Sequence, residues 1–301
     1  MELILTHVNS RLPVYIWHNF KNLRVWNPDL DIKIICHKKY QLENDLTKLK
    51  TYNIELIDCE DIIDDAWKEF LELSWYDVWG TPDTNYPSPP KFVQSTSERL
   101  YALSAYIKHT KAIDVFHIEN DVMVYEDLDK LLPITQSCYS KMTITPMADK
   151  DHTFAFVYIP TYKDLDSFCQ FNTQMIRNGN DPLVKKYNLD MVHEMSIVKI
   201  YKDQLDAVDF FPILPDGSYS NNYDKFNALF DPASWGQYVG GTNGKGITTG
   251  YAGSHHIIGR KILAGKYTAS FNGVYPIVND KIKLNTLHVH CKRLERYVTT
   301  K

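Results

Sequence analysis

The sequence predicts an α/β fold: a mixed, mostly parallel central sheet flanked by helices, followed by a loop-rich C-terminal third. Over the first hundred of the 301 residues, short apolar segments alternate with amphipathic helical segments. This βαβα order favours parallel strands joined by right-handed crossovers. In the last third, glycines concentrate between 236 and 273, which favours long connections over the sheet edge. A chain of this length buries a full core without disulfides, so we expect one domain over 1–301.

Apolar periodicity places the elements of the first part in order. A buried apolar run at 3–6 is typical of a strand. Pro13 then opens a segment whose apolar residues share one helical face, and Asn27-Pro28 ends it. The same patterns predict strands at 3–6, 32–36 and 54–57, and helices at 13–27, 41–50 and 62–79.

The next part begins with a segment that contains four prolines, 80–91, and we predict a surface loop there. Ser95 and Glu98 have the spacing of a capping box, which predicts a helix over 96–109. Further along the chain we predict strands at 115–118, 141–145 and 153–159, and a helix at 165–177 ended by Gly179.

Composition excludes several classes of protein. The formal net charge is −4, so the chain offers no field that would attract nucleic acid. Residues 1–6 have neither the basic segment nor the apolar length of a signal peptide, and we expect no transmembrane segment. The five cysteines are scattered and form no CxxC pair, which is typical of a reducing, cytoplasmic location.

The sequence Glu119-Asn120-Asp121 ends the predicted strand 115–118. Residues two apart on a strand point to the same side, and ligands of open α/β sheets bind at the carboxyl ends of the strands. Two carboxylates held together repel each other unless a cation neutralises them, so a divalent metal fits this pair. Acidic residues also commonly end strands, and Asp127 and Asp129 follow closely, so the pair by itself leaves both interpretations open.

The order of these features resembles the GT-A fold of nucleotide-sugar glycosyltransferases. The helix carrying Ser97-Glu98-Arg99-Leu100 precedes a strand that ends in Glu119-Asn120-Asp121, which is similar to the DxD motif of that family. Near the C-terminus, Leu287-His288-Val289-His290-Cys291-Lys292 resembles the family's late histidine motif. The layout is most similar to the glycogenin-like and lipopolysaccharide galactosyltransferase branches.

This resemblance implies a nucleotide-sugar-binding half at 1–125 and an acceptor-side half at 126–301, which includes the late motif. It implies a UDP-sugar donor, a glycan or glycoconjugate acceptor, and Mn²⁺ or Mg²⁺. Imidazole beside carboxylates favours Mn²⁺. The implied donor-binding residues are Thr6, His7, Asn9, Asp58, Arg99, Glu119, Asn120 and Lys292. The implied metal ligands are Glu119, Asp121, His288 and His290, and the implied catalytic residues are Glu194 and Asp121.

Two positions depart from the family's pattern. Glu119 replaces the first aspartate, and its longer side chain suggests a water-mediated or ribose contact, with Asp121 as the direct ligand. The late motif has two histidines and lacks the Lys-Pro-Trp ending, so the histidine that binds metal stays open between His288 and His290. Arg99 could instead pair with a surface acid, Lys292 could belong to a solvated basic tail, and Glu194 could be an exposed helical acid.

The segment 231–242, DPASWGQYVGGT, combines glycines with two aromatic residues. We expect Trp235 and Tyr238 to stack on an acceptor sugar. The alternative is a glycine-rich connection with two packed rings. The sequence is also compatible with two other functions: a glycoside hydrolase that uses a carboxylate pair, and a non-catalytic carbohydrate-binding protein.

Overall fold

The computed structural model of the protein describes residues 1–73, 90–189, 191–242 and 253–300, with the backbone alone at 90–92, 180 and 181. Its strands are β1 (Glu2–His7), β2 (Ile32–Cys36), β3 (Ile54–Asp58), β4 (Val115–Ile118), β5 (Val122–Val124), β6 (Met142–Pro146), β7 (His152–Ile159), β8 (Val208–Phe210), β9 (Ala269–Phe271), β10 (Pro276–Val278), β11 (Ile282–Lys283) and β12 (Thr286–His288). Its α-helices are α1 (Ile16–Trp26), α2 (Glu43–Thr51), α3 (Cys59–Ile62), α4 (Asp65–Leu71), α5 (Pro90–Thr110), α6 (Leu128–Cys138), α7 (Tyr162–Arg177), α8 (Asn180–Tyr187), α9 (Glu194–Leu205), α10 (Tyr223–Phe226), α11 (Trp235–Gly240) and α12 (Ile257–Leu263).

Within these described ranges, seven strands form the main sheet in the order β3-β2-β1-β4-β7-β6-β8. The pairs β2–β3, β1–β2, β1–β4 and β6–β8 are parallel, and β4–β7 and β6–β7 are antiparallel. The mixed, mostly parallel sheet predicted from the sequence is therefore confirmed. The sheet takes strands from both sides of residue 125.

Apolar side chains cover both faces of this sheet. On one face, α4, α5, α7 and α9 pack against residues such as Ile4 and Val157. On the other face, α1, α2 and α6 pack against residues such as Leu5 and Phe156. Because successive strand residues point to opposite faces, Ile4 and Leu5 belong to different clusters. A third cluster, around Trp235, forms the core of the C-terminal third.

Most predicted elements are present with shifted ends, but the capping box at Ser95 and the unbroken helix over 62–79 are wrong. The helix predicted at 96–109 begins at Pro90, since proline suits the first helical position, so Ser95 lies inside the helix and caps nothing. The helix predicted at 62–79 is interrupted after Ile62, because Asp64 accepts a hydrogen bond from the Trp67 amide at 2.9 Å and starts α4. The predicted loop 80–91 and the end of that helix, 74–79, lie outside the described residues, apart from positions 90 and 91 in α5.

The C-terminal third contains short elements, as its glycine content predicts. A small antiparallel sheet, β11-β10-β9, was not apparent from the sequence. The short strand β12 leaves this region and pairs antiparallel with β5, so that His288 lies opposite Val122. This pairing brings the end of the chain to the motif at 119–121. In the described residues, no helix has both the length and the apolar character to span a membrane.

A buried histidine in the sheet predicts a loss of stability in acid. His152 on β7 is 3% exposed, and burial lowers its pKa to about 4 from 6.5. Between those values the unfolded chain binds a proton that the folded chain excludes, so the free energy of unfolding falls as the pH falls. The slope from this residue is at most about 1.4 kcal/mol per pH unit.

We therefore expect His152→Asn, whose amide can replace the Nδ1 hydrogen bond to the Asp151 carbonyl, to flatten urea unfolding free energies between pH 6.5 and pH 4. His109→Asn, at an exposed position, is the matched control. An unchanged slope in His152→Asn would contradict the assignment.

Candidate functional site

The two acidic residues of the motif lie in a tight turn at the end of β4. Glu119 donates its backbone N–H to the Ala155 carbonyl at 3.1 Å and accepts from the Val122 amide at 3.0 Å. Asp121 is 5% exposed, although a free aspartate is normally solvated. The turn therefore directs two carboxylates inward at the carboxyl end of a strand, where the sequence predicts them.

His288 completes a cluster with these carboxylates. Its Nε2 lies 2.8 Å from Asp121 Oδ2 and 3.7 Å from Glu119 Oε2. One ligand atom from each of the three residues lies within 4.8 Å of the others. The pairing of β12 with β5 produces this proximity, and the Val289 amide secures it by donating to the Asp121 carbonyl at 2.8 Å.

Two cations flank the cluster. Arg99, from α5, lies with its Nη2 2.6 Å from Glu119 Oε1. Both side chains are about one-seventh exposed, 15% and 14%, so this ion pair is largely desolvated. On the other side, Lys292 Nζ donates to Asp121 Oδ2, and its side chain is 39% exposed. Arg99 thus neutralises Glu119 in a largely desolvated pair, whereas the Lys292 side chain is the more exposed of the two cations.

The flanking charges control protonation in the cluster. Burial opposes ionisation of Glu119, but Arg99 and His288 outweigh it and lower the pKa of that carboxyl. Burial likewise opposes ionisation of Asp121, yet His288 and Lys292 hold its pKa well below the usual range. Burial disfavours the charged form of His288, but Asp121 raises its pKa overall. Both carboxylates are therefore anionic at neutral pH and available as ligands.

Glu194 lies near the Arg99 guanidinium, which also contacts Glu119. It is the first residue of α9 and is 2% exposed, in contrast to the exposed helical acid considered from the sequence. Its Oε2 accepts from Thr96 Oγ1 at 2.9 Å, and its Oε1 is 3.9 Å from Arg99 Nη2. Glu194 and Glu119 thus hold one guanidinium between them.

His290 occupies a different position from His288. Its Nε2 donates to the Ala233 carbonyl at 2.8 Å, and its ring stacks on the His288 ring at 4.2 Å with an interplanar angle of 15°. The cluster of potential ligands contains His288 and does not contain His290. The geometry therefore separates the two histidines that the sequence left equivalent.

The residues predicted to hold the nucleoside lie at the ends of β1 and β3. Asn120 Nδ2 donates to His7 Nδ1 at 2.9 Å, which connects the end of β1 to the acidic turn. Thr6 is 4% exposed, and among the described residues its hydroxyl has no hydrogen-bond partner. Asp58 accepts from the amides of Lys38 and Glu60, two strands away from β1, and so caps α3.

A cavity of about 290 Å³ opens beside these strand ends. It is lined by Asn9, His37, Trp67, Glu98 and neighbouring residues. Glu98 is 3% exposed and accepts from Asn9 Nδ2 and from Trp67 Nε1, the latter at 3.3 Å. Burial raises the pKa of Glu98. The cavity combines an aromatic residue with polar groups, as small-ligand sites commonly do.

The structure does not support the predicted acceptor contacts at Trp235 and Tyr238. Trp235 is 0% exposed, and its indole Nε1 donates to the Ile213 carbonyl at 3.3 Å. Tyr238 is 7% exposed on the same helix, α11. Rings with so little exposed surface fit the alternative of packed residues in a glycine-rich connection, and sugar stacking at Trp235 and Tyr238 stays a prediction.

Three residues at the site were not predicted from the sequence. Tyr15 precedes α1, and its ring centroid lies 5.6 Å from Lys292 Nζ, beside the cluster, where burial and the charges of Asp121 and Glu119 raise the pKa of its phenol. Asn19 donates to the carbonyls of Asn120 and Val122, each at 3.0 Å. Asp231 accepts four backbone N–H groups. Of these, only Asp231 could have been noticed in the sequence, since it is the first residue of the glycine-rich segment 231–242.

No protein-family model matches this chain, and a search of curated proteins gives no significant match. Solved structures do resemble it. Mouse xyloside xylosyltransferase 1 aligns over 76% of this chain and 93% of its own, with 7% identity and a TM-score of 0.47. The galactosyltransferase LgtC, in complex with donor and acceptor sugar analogs, aligns over 70% and 73%, with 15% identity and a TM-score of 0.41.

A cytidylyltransferase from Leptospira borgpetersenii also aligns, over 70% of this chain and 75% of its own, with 8% identity and a TM-score of 0.38. The quoted structures are all transferases. Their reactions differ, and similarity of fold does not determine function. The function must therefore be inferred from the geometry of the site.

Proposed function

We propose that this chain is a metal-dependent GT-A glycosyltransferase that transfers a hexose from a UDP-sugar to a hydroxyl group of a glycan or glycoconjugate. The observation that carries the proposal is the buried cluster of Glu119, Asp121 and His288, with Arg99 and Lys292 beside it. It joins the two motifs, separated by more than half the chain, whose order resembles that family. We propose that residues 1–301 act as one catalytic domain.

The chemistry of the cluster fits a divalent cation. It offers carboxylate oxygen from two residues and the Nε2 of His288, and both carboxylates are anionic at neutral pH. Such mixed oxygen and nitrogen ligation favours Mn²⁺, with Mg²⁺ as the second choice. When bound, the metal would act as a Lewis acid on the oxygens of the diphosphate leaving group.

The remaining residues take roles that follow from their positions. Lys292 is partly exposed at the cluster and can donate to the diphosphate, where negative charge accumulates as the glycosidic bond breaks. Arg99 holds Glu119 in its ligating orientation. We propose that the cavity beside Asn9, His37 and Trp67 receives the nucleoside. Glu194 supports Arg99 rather than contacting the donor directly.

The other functions fit less well. A glycoside hydrolase needs one carboxyl group with a raised pKa as the general acid. At this cluster the pKa of Glu119 and that of Asp121 are both lowered. A carbohydrate-binding protein has no need of buried anions. Removing a carboxylate from water is costly, yet this chain keeps three acids largely shielded from solvent beside their cations.

The proposal is tested by thermal unfolding with UDP, in the presence and absence of Mn²⁺. A ligand at 100 times its dissociation constant stabilises the folded state by about 2.7 kcal/mol, so we expect a clear rise in Tm with UDP and Mn²⁺ together. UDP alone should give a smaller shift, and GDP with Mn²⁺ is the comparison for the base. No metal-dependent shift would contradict the proposal. Stabilisation by sugars alone would favour the carbohydrate-binding protein.

A further inference from the structure

His288 lacks the support that metal-ligating histidines usually have. A ligating histidine normally donates its second ring N–H to a carboxylate or carbonyl, which fixes the ring plane. The Nε2 of His288 faces the carboxylates, and its Nδ1 is buried with no hydrogen-bond partner among the described residues. If Nε2 binds a metal, its hydrogen bond to Asp121 is no longer available, and contacts other than a hydrogen bond must then fix the orientation of this ring.

The ring of His290 occupies the position that can do so. It lies nearly parallel to the His288 ring, with centroids 4.2 Å apart. His290 is itself fixed, because its Nε2 donates to the carbonyl of Ala233. Ala233 has a φ of 59°, in the left-handed region that alanine rarely adopts, so the surrounding structure holds this carbonyl in place.

The turn that contains Ala233 also fixes the backbone of His288. Asp231 is 1% exposed, and its Oδ1 accepts from the amides of Ser234 and Trp235, each at 2.7 Å. Its Oδ2 accepts from the amides of Gly236 and His288, each at 2.9 Å. One carboxylate thus connects the first turn of α11 to the last residue of β12.

Close approach of the two backbones confirms how tightly this turn and β12 are joined. A Cβ atom added at Gly236 would lie 1.8 Å from the His288 carbonyl oxygen, far inside van der Waals contact. A side chain at 236 would force β12 and the start of α11 apart. The segment 231–236 therefore supports the backbone of His288.

We propose that His290 and the turn 231–236 position the His288 imidazole, with Asp231 fixing its backbone and the stacked His290 ring fixing its plane. This inference rests on the proposed metal site. In it, His290 is a positioning residue that never contacts the metal: its ring acts on His288 by stacking, and its hydrogen bond to the Ala233 carbonyl holds that ring.

The experiment compares His290→Ala with His290→Phe, which keeps a flat ring for stacking. Mn²⁺ binding without nucleotide is measured by electron paramagnetic resonance of the free ion, and Tm is recorded for each variant. We expect His290→Ala to weaken Mn²⁺ binding about 10-fold or more, as loss of a supporting residue does. His290→Phe should restore most of the affinity, and His109→Ala, at an exposed position, should resemble the wild type.

Two outcomes would overturn the inference. The first is a wild-type Mn²⁺ affinity in His290→Ala. The second is a loss of binding in His290→Phe as complete as the loss in His288→Ala, which would make His290 a ligand. A second readout does not depend on metal. In NMR spectra of histidine-labelled protein, His290→Ala should move the His288 ring signals away from their stacked position and broaden them, and Asp231→Asn should also broaden them.

The NMR readout separates failure of the inference from failure of the proposed function. Loss of the His290 ring current shifts the His288 signals in any case, so the deciding observation is their width. If the wild type binds no Mn²⁺ but the His288 signals broaden in His290→Ala, positioning is supported and the metal site is rejected. If those signals stay as narrow as in the wild type, positioning is rejected, whatever the metal affinity.

Discussion

Asp121→Asn is expected to abolish the Mn²⁺-dependent rise in Tm with UDP and to reduce sugar transfer about 100- to 1000-fold, the loss typical of a group that stabilises charge in the transition state. The amide that replaces the carboxylate is a weak ligand and carries no charge. The protein should still fold, because Lys292 is 39% exposed and can be solvated, and His288 can become neutral.

The matched control is Asp129→Asn, the same substitution at an exposed residue in the first turn of α6. It should leave both transfer and the metal-dependent shift unchanged. Circular dichroism of Asp121→Asn should show native helix content. If this folded variant keeps its metal-dependent shift, Asp121 does not hold the metal, and the site has been assigned to the wrong residues.

Arg99→Met is expected to give the largest loss of stability, about 3–5 kcal/mol, as when one partner of a buried ion pair is removed. The guanidinium lies between the carboxylates of Glu119 and Glu194, whose side chains are 14% and 3% exposed. Without it, each anion is left in a desolvated position, and burial then raises the pKa of Glu119, which Arg99 now lowers. Metal binding should weaken as well, because Glu119 loses the partner that orients it.

Arg177→Met provides the control. Arg177 also pairs with a glutamate, Glu69, but these side chains are 55% and 46% exposed. An exposed pair contributes about 1 kcal/mol or less, so this variant should unfold close to the wild-type urea midpoint. A loss in Arg99→Met no larger than that in Arg177→Met would contradict this prediction, because burial of the ion pair would then add nothing to stability.

Local patterns were sufficient to predict much of the main sheet. Apolar runs such as Ile32–Cys36 are short, β-branched and bounded by polar residues, so they specify strands without tertiary information. Helix ends were less predictable. Ser95 and Glu98 do have the spacing of a capping box, but the helix starts at Pro90, about one and a half turns before Ser95. Whether a cap is used depends on where the chain enters the helix.

The candidate site divides in the same way. The motif Glu119-Asn120-Asp121 could be found because strand period and sheet topology place both acids at one edge. Which of His288 and His290 lies beside the acids could not be predicted, since alternate residues on an isolated strand share a face. The pairing of β12 with β5 places His288 there, while His290 binds the Ala233 carbonyl. That His288 is the metal ligand stays a proposal.

The fold class and the residues that could take part in the chemistry were predictable from the sequence, because both depend on periodicity and on residue type over a few positions. Which of these groups meet was not predictable. Residues 119 and 288 are brought together by strand pairing between distant parts of the chain, and the burial of Trp235 depends on residues from the whole C-terminal third. Contacts over such separations leave no periodic signal in the sequence, so burial, ion pairing and pKa followed only from the folded chain.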